Sequence, residues 1–295
     1  MDTTCYLSLF EKNFFRFIGT KDTRDEAIKN CKDLFSRYKP VDILKSGGSA
    51  TIVIKAKYNE EYVVLKLFNF NYTDGFDLEY RVTSRLMIPN TLRPLNYEIF
   101  LKQSFGIIIF PYLDDFRHCE SASCDEWKYI LMQLLETIIA LNKEKYSHLD
   151  IKPSNVILQG YGKDIKVTLI DFESVTFMNF TRDFQFEGNP DLAEVADFSG
   201  TIPFVDPIYM LSDCPHIKSD VWSIGIMLLR DLTYYEFDSL EETDYLRECL
   251  RLSPAIIAKK VKGLELGALV IKMLAINWND RCSAEEARDF LLSLE

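Results

Sequence analysis

From Thr23 onward, Ala27, Ile28, Cys31, Leu34, Phe35 and Tyr38 recur at three- and four-residue intervals, the stripe of an amphipathic helix. Thr23 with Glu26 forms a capping box and Pro40 ends the pattern. Residues 1–39 therefore read as a helical extension whose stripe needs burial, on the chain's own sheet or against a second copy in a homodimer. The pattern then changes period. Runs of β-branched and aromatic residues at 51–54, 62–68 and 105–110 predict strands, interrupted by one helix over about 76–87. After 125 the spacing is helical again, at 127–141, 221–232, 266–274 and 284–294. The expected organisation is α+β: a small β-rich lobe over 40–110, a connection at 111–115 and a larger helical lobe over 116–295.

Composition narrows the classes. The 295 residues are 47% apolar and 13% aromatic, enough for a packed core and too much for a disordered chain. The longest apolar run, 106–113, falls short of the roughly 18 residues a membrane helix needs and contains Pro111, so no membrane span is expected. Asp2 lies where a signal peptide would carry basic charge. Seven cysteines, an odd number without paired spacing, fit a reducing intracellular compartment, cytoplasm or nucleus. A net charge of −11 repels phosphate backbones, which argues against direct nucleic-acid binding and for basic protein partners. His118, Cys119 and Cys124, or Cys214 and His216, lack the CxxC spacing of a structural zinc site.

The strongest chemical signal is His148-Leu149-Asp150-Ile151-Lys152-Pro153-Ser154-Asn155, followed sixteen residues after Asn155 by Asp171-Phe172. Such a loop offers an aspartate to a hydroxyl, a lysine to a phosphate, and an Asn/Asp pair to a hard divalent cation. It resembles the HRDxKxxN loop and DFG motif of the eukaryotic-type protein kinase family. A second block, Ser219-Asp220-Val221-Trp222-Ser223-Ile224-Gly225, is similar to that family's DxWSxG helix, whose aspartate braces the catalytic loop. The resemblance covers about 41–295 and implies a bilobal fold. It also implies γ-phosphate transfer from ATP, with Mg²⁺ or Mn²⁺, to protein Ser/Thr hydroxyls. On it, Asp150 is the catalytic aspartate, assisted by Lys152 and Thr201, while Asn155 and Asp171 hold the metal. Lys66 with Glu79, Lys45, Gly47, Gly48 and Ile52 of the phosphate loop, and Phe110, Pro111 and Leu113 of the hinge between lobes bind the nucleotide.

Four departures from the family pattern stand out. The phosphate loop, Lys45-Ser46-Gly47-Gly48-Ser49-Ala50-Thr51-Ile52, keeps one glycine of GxGxxGxV in place, and its first glycine is Lys45. Glu173 replaces the glycine of DFG. Leu149 replaces the arginine that reads a phosphorylated activation loop. Ile208 stands where the family has the glutamate that pairs with a buried arginine here matched by Arg281, which leaves Asp206 as the nearest substitute. The compact domain and eroded motifs look like the divergent kinases of large DNA viruses or of intracellular bacterial effectors. Two other readings stay open: a pseudokinase that binds without turnover, and a small-molecule phosphotransferase similar to aminoglycoside and choline kinases.

Overall fold

The computed structural model describes residues 34–47, 51–101, 104–178, 186, 188–237 and 241–294. The helix expected from Thr23 falls mostly outside them, as does Gly48. The chain forms two compact units, Met1–Met87 with Leu92–Asp114, and Ile88–Thr91 with Asp115–Glu295.

The first unit is built on an antiparallel sheet of five strands: β1 (Lys39–Gly47), β2 (Thr51–Tyr58), β3 (Glu61–Asn69), β4 (Asn96–Phe100) and β5 (Phe105–Pro111), in the order β1-β2-β3-β5-β4. Asn59 and Glu60, both at positive φ, close the two-residue turn between β2 and β3, the geometry that suits the twist of a tight hairpin. The central strands are covered on both faces, which explains continuous apolar runs such as 63–65 and 107–110. One face carries Ile52, Ile54, Ala56, Leu65, Leu67 and Ile107, and Leu34 and Tyr38 are packed among them. The other carries Phe68, Ile108 and Phe110, against Phe76 of helix α1 (Gly75–Ser84). Gly106 makes that second contact possible, since a Cβ there would lie 2.6 Å from Phe70 and 2.8 Å from Phe76. Helix α1 ends before the expected Met87, because Arg93 Nη1 donates to the carbonyls of Thr83 and Leu86 and so satisfies the helix end.

In the second unit, helices α2 (Trp127–Lys143) and α4 (Ser219–Thr233) are the most deeply buried. Helices α3 (Pro207–Ser212), α5 (Glu242–Arg251), α6 (Pro254–Lys260), α7 (Gly267–Met273) and α8 (Ala284–Leu292) complete the α-helices described there. Small sheets pair β6 (Phe116–His118) with β8 (Val156–Gln159) and β9 (Lys166–Leu169), and β7 (Tyr146–Ser147) with β10 (Thr176–Phe177). Ser283 and Glu286 form a capping box that starts α8. Helices α5 and α6 escape the periodicity reading, since only Tyr245, Leu246 and Cys249 of α5 are buried. Residues 88–91, expected with the β-rich part, belong to this unit. Asn90 Nδ2 donates to Gln133 O at 2.9 Å, and the Leu169 amide donates to Asn90 O at 2.8 Å.

The helical turn at 34–37 docks in cis on the sheet. Leu34 is wholly buried, and Arg37 makes a bidentate pair with Glu98 at 2.8 and 2.7 Å. Leu34→Ala is expected to lower the unfolding free energy by about 2–5 kcal/mol through the cavity it leaves. Urea denaturation measures this, and a loss under about 0.5 kcal/mol would mean that the turn adds no stability.

Candidate active site

In the first unit, strand parity puts Lys66 on the α1 face of the sheet. There its ammonium pairs with the Glu79 carboxylate on α1, both side chains almost fully buried. A buried lysine needs such a partner, because desolvation of an unpaired ammonium would be prohibitive. Directly paired residues across the sheet run Lys45, Val53, Lys66, Ile108. Cross-strand partners share a face, so Lys45 and Val53 stand in the Lys66 row. Ile52, expected to touch nucleotide, points the other way, 3% exposed in the cluster with Leu34. Val53 takes its place beside Lys66, because the two-residue turn at Asn59 and Glu60 sets Tyr58 opposite Glu61 and hence Val53 opposite Lys66. Phe110, buried, continues this face on β5, and Tyr112 follows just beyond the strand. Tyr112 donates its amide to Tyr62 O at 3.3 Å, so the preceding opposed pair, Val63 and Pro111, is not hydrogen-bonded. Pro111 thus turns both nitrogen and carbonyl away from β3, and its missing N–H costs that ladder nothing.

In the second unit, Asp150, Lys152, Asn155 and Thr201 form one hydrogen-bonded ring. Lys152 Nζ donates to Asp150 Oδ2 and to Thr201 Oγ1, each at 2.7 Å. Thr201 Oγ1 donates to Asp150 Oδ1 at 2.6 Å. Asn155 Nδ2 donates to Asp150 O at 2.8 Å and to Oδ2 at 3.1 Å. Three groups from two chain segments therefore hold one carboxylate in a single orientation.

The loop beneath this ring hangs on Asp220 at the start of α4. Its carboxylate accepts the amides of His148 and Leu149, both at 2.8 Å. Burial pushes the Asp220 carboxyl up, opposed by the neighbouring His148 ring and by those two amides. Leu149 adopts φ 64°, a left-handed conformation that costs a leucine about 1–2 kcal/mol and is sustained by these bonds. His148 accepts the Asp150 amide at Nδ1 (3.3 Å), so the ring donates from Nε2 to Ile170 O (3.2 Å). That assigns a neutral tautomer. Gly200, missed by the sequence reading, is required here: at φ 138° its Cβ would lie 2.9 Å from the Leu149 carbonyl. The glycine before Thr201 was the available signal.

Asp171 follows strand β9 in the left-handed region (φ 69°, ψ 67°), and Phe172 packs its ring 4.8 Å from that of His148. The Ile170 amide donates to Asn155 O at 3.0 Å, tying the two metal candidates into adjoining backbone. With Asn155 Nδ2 engaged on Asp150, the amide is oriented with Oδ1 on its other side. Carboxylate oxygens of Asp171 and Glu173 lie within 4.8 Å of each other, a concentration of hard oxygen and negative charge that fits Mg²⁺ or Mn²⁺. Among the described residues, no three-ligand group includes His118, His216 or any cysteine.

The chain segment bearing Thr201 is anchored by Asp206, which caps α3 and is 1% exposed. Its carboxylate accepts from Arg281 at 2.7 and 3.1 Å, Trp278 Nε1 at 2.8 Å and Ser219 Oγ at 2.8 Å. Burial opposes its ionisation, but Arg281, Trp278 and Ser219 hold the carboxyl below its ordinary range. Asp206 is thus the partner of Arg281. The Tyr245 hydroxyl also donates to the carbonyls of Pro203 (2.7 Å) and Val205 (2.9 Å).

Residues 38–290 match the family described as protein kinase domain. The chain is 26% identical over 247 residues to serine/threonine-protein kinase cds1 of Schizosaccharomyces pombe, covering 76% of this chain and 50% of that protein. It is 24% identical over 266 residues to mitogen-activated protein kinase kinase 2 of Arabidopsis thaliana, covering 83% and 69%. With mitogen-activated protein kinase kinase SIPKK of Nicotiana tabacum it shares 24% over 200 residues, 64% and 52% of the two chains. It spans about half the length of cds1 and of SIPKK.

Two outcomes are expected. Arg281→Ala strands the Asp206 carboxylate in the interior and should cost about 3–5 kcal/mol of stability in urea titration; a loss below about 1 kcal/mol would deny the pair its anchoring role. Burial, against the pull of Asp220, Asp150 and Asp171, lowers the His148 pKa below its ordinary 6.5. The unfolded chain then takes up a proton that the folded chain refuses. Stability should therefore fall as pH is lowered from 7.5 to 5.5, and a flat urea midpoint across that range would contradict it.

Proposed function

The chain belongs to the protein kinase family, and from that premise we propose that it transfers the γ-phosphate of ATP to Ser and Thr hydroxyls of protein substrates. The observation that carries this reading is the ring of Asp150, Lys152, Asn155 and Thr201. Asp150, held in one orientation by these bonds, accepts the proton of the substrate hydroxyl. Lys152 lies against the same carboxylate and neutralises charge on the transferred group, and Thr201 couples the two. Asn155 and Asp171 hold the divalent ion, which supplies charge neutralisation to the phosphate oxygens when bound. Lys66, oriented by Glu79, and Lys45 in the same cross-strand row take the remaining phosphates. The Lys45 ammonium thereby stands in for the backbone approach that a glycine at this position allows in the family; Gly47 and Gly48 let the rest of the loop come close. Val53 and Phe110 flank the base, and the Pro111 carbonyl and Leu113 amide meet its polar edge.

A net charge of −11 suits basic protein substrates over nucleic acid. Among the described residues, no helix is long and apolar enough to cross a membrane. Thr201, bridged to Lys152 and Asp150, supports a Ser/Thr protein substrate over a small-molecule acceptor.

The test is transfer of labelled γ-phosphate from Mg-ATP to a basic protein panel and to a small-molecule panel. Asp150→Asn should lower kcat about 100- to 10,000-fold, Lys66→Met should act similarly, and chelator should abolish turnover, with both variants folded at the assay temperature and Lys66→Met at a lower thermal midpoint because it strands the buried Glu79 carboxylate. Tight nucleotide binding without turnover, indifferent to chelator, would favour the pseudokinase reading. Transfer confined to the small molecules would favour the other.

A further inference from the structure

Lys55 occupies an unusual position for a lysine. It lies on β2 one alternation beyond Val53, so its side chain leaves the sheet on the Lys66 face. Its ammonium sits 3.7 Å from the centre of the Tyr112 ring and 4.2 Å from that of Tyr62. The two rings meet edge to face, 6.0 Å apart. The cation is thus shared by two aromatic faces, one on β3 and one on the chain leaving β5.

The backbone here explains why such a contact matters. The Tyr112 amide bond to Tyr62 O, at 3.3 Å, is the last rung of the β3–β5 ladder, and it is long. Val63 and Pro111 contribute no rung, and β4 already ends its pairing with β5 at Asn96 opposite Ile109. The chain over 111–113 therefore leaves β3 on a long main-chain bond. The side chain of Tyr112, pinned by Lys55, supplies a further tie.

We propose that Lys55 is a positioning residue for nucleotide binding. By clamping Tyr112 against Tyr62 it fixes the Pro111 carbonyl and Leu113 amide that meet the base. This rests on the functional reading above, in which those two groups hold adenine. The clamp acts on the base and ribose end of the nucleotide, whereas Lys66 and Lys45 act on its phosphates.

The experiment compares Lys55→Met, Lys55→Arg, Tyr112→Leu and the Lys55→Met/Tyr112→Leu double variant with the unaltered full chain. It measures KM for ATP, kcat, thermal midpoint, and inhibition by adenosine and by inorganic tripolyphosphate. Lys55→Met should raise the ATP KM and the adenosine inhibition constant about three- to tenfold, the scale of a cation–π contact, with kcat within about twofold. Tripolyphosphate inhibition should be unchanged. Lys55→Arg, which keeps the cation and stacks on aromatic faces, should restore the unaltered values. The double variant should be no weaker than the weaker single one. Unchanged adenosine inhibition in Lys55→Met, equal weakening of tripolyphosphate, or failure of arginine to restore binding would overturn the role of Lys55 alone, provided the unaltered chain binds ATP. If the unaltered chain binds no nucleotide, the functional reading falls and this role falls with it.

Discussion

The Asp220 carboxylate is the constraint on which the loop from His148 to Asn155 depends. It is fully buried on α4, and it is tolerated there because its oxygens accept the amides of His148 and Leu149. Those bonds hold Leu149 in a left-handed conformation that leucine avoids, and the turn so made delivers Asp150 to Lys152, Asn155 and Thr201. Gly200 follows from the same geometry, because only a residue without Cβ can pass the Leu149 carbonyl. Rigidity at the loop thus derives from a helix remote in sequence, which holds a polar constellation at strained backbone.

Asp206 applies the same logic one residue before α3. A buried arginine is compatible with folding only when a carboxylate meets it with good geometry and its remaining donors are satisfied. Arg281 has both, in Asp206 and in the carbonyls of Ala275 and Ile276. The family's glutamate is absent, yet the electrostatic requirement is met from two residues earlier, at the position that also caps α3. The anchor therefore survives substitution of the partner as long as the ion pair and its hydrogen-bond complement persist.

In the first unit, strand parity divides the work. One face of the sheet is an apolar core closed by Leu34 and Tyr38, and the other presents Lys45, Val53, Lys55 and Lys66 in alternation. The buried or half-buried lysines on this face are each met by a partner. Lys66 has Glu79, and Lys55 has two tyrosine rings.

Local sequence determined much of this protein. Periodicity marked α2, α4, α7 and α8 and the central strands, because each element's apolar face is written in nearby residues. The loop from His148 to Asn155, with Asp171, Lys66 and Glu79, was legible because these groups keep characteristic neighbours and spacing, and Asp206 was reachable by asking what could neutralise Arg281. Other features were decided only by tertiary structure. Whether Ile52 or Val53 shares a face with Lys66 depends on the register of β2 against β3, and a shift of one residue reverses it. The need for glycine at 200 arises from the carbonyl of Leu149, on a different segment of the chain. Residues 88–91 join the second unit through bonds to α2 and β9, which no local pattern encodes. The Lys55 clamp unites residues of β2, β3 and the chain leaving β5. In each case the deciding quantity is a distance between segments remote in sequence, set by packing and hydrogen bonding after the elements have formed.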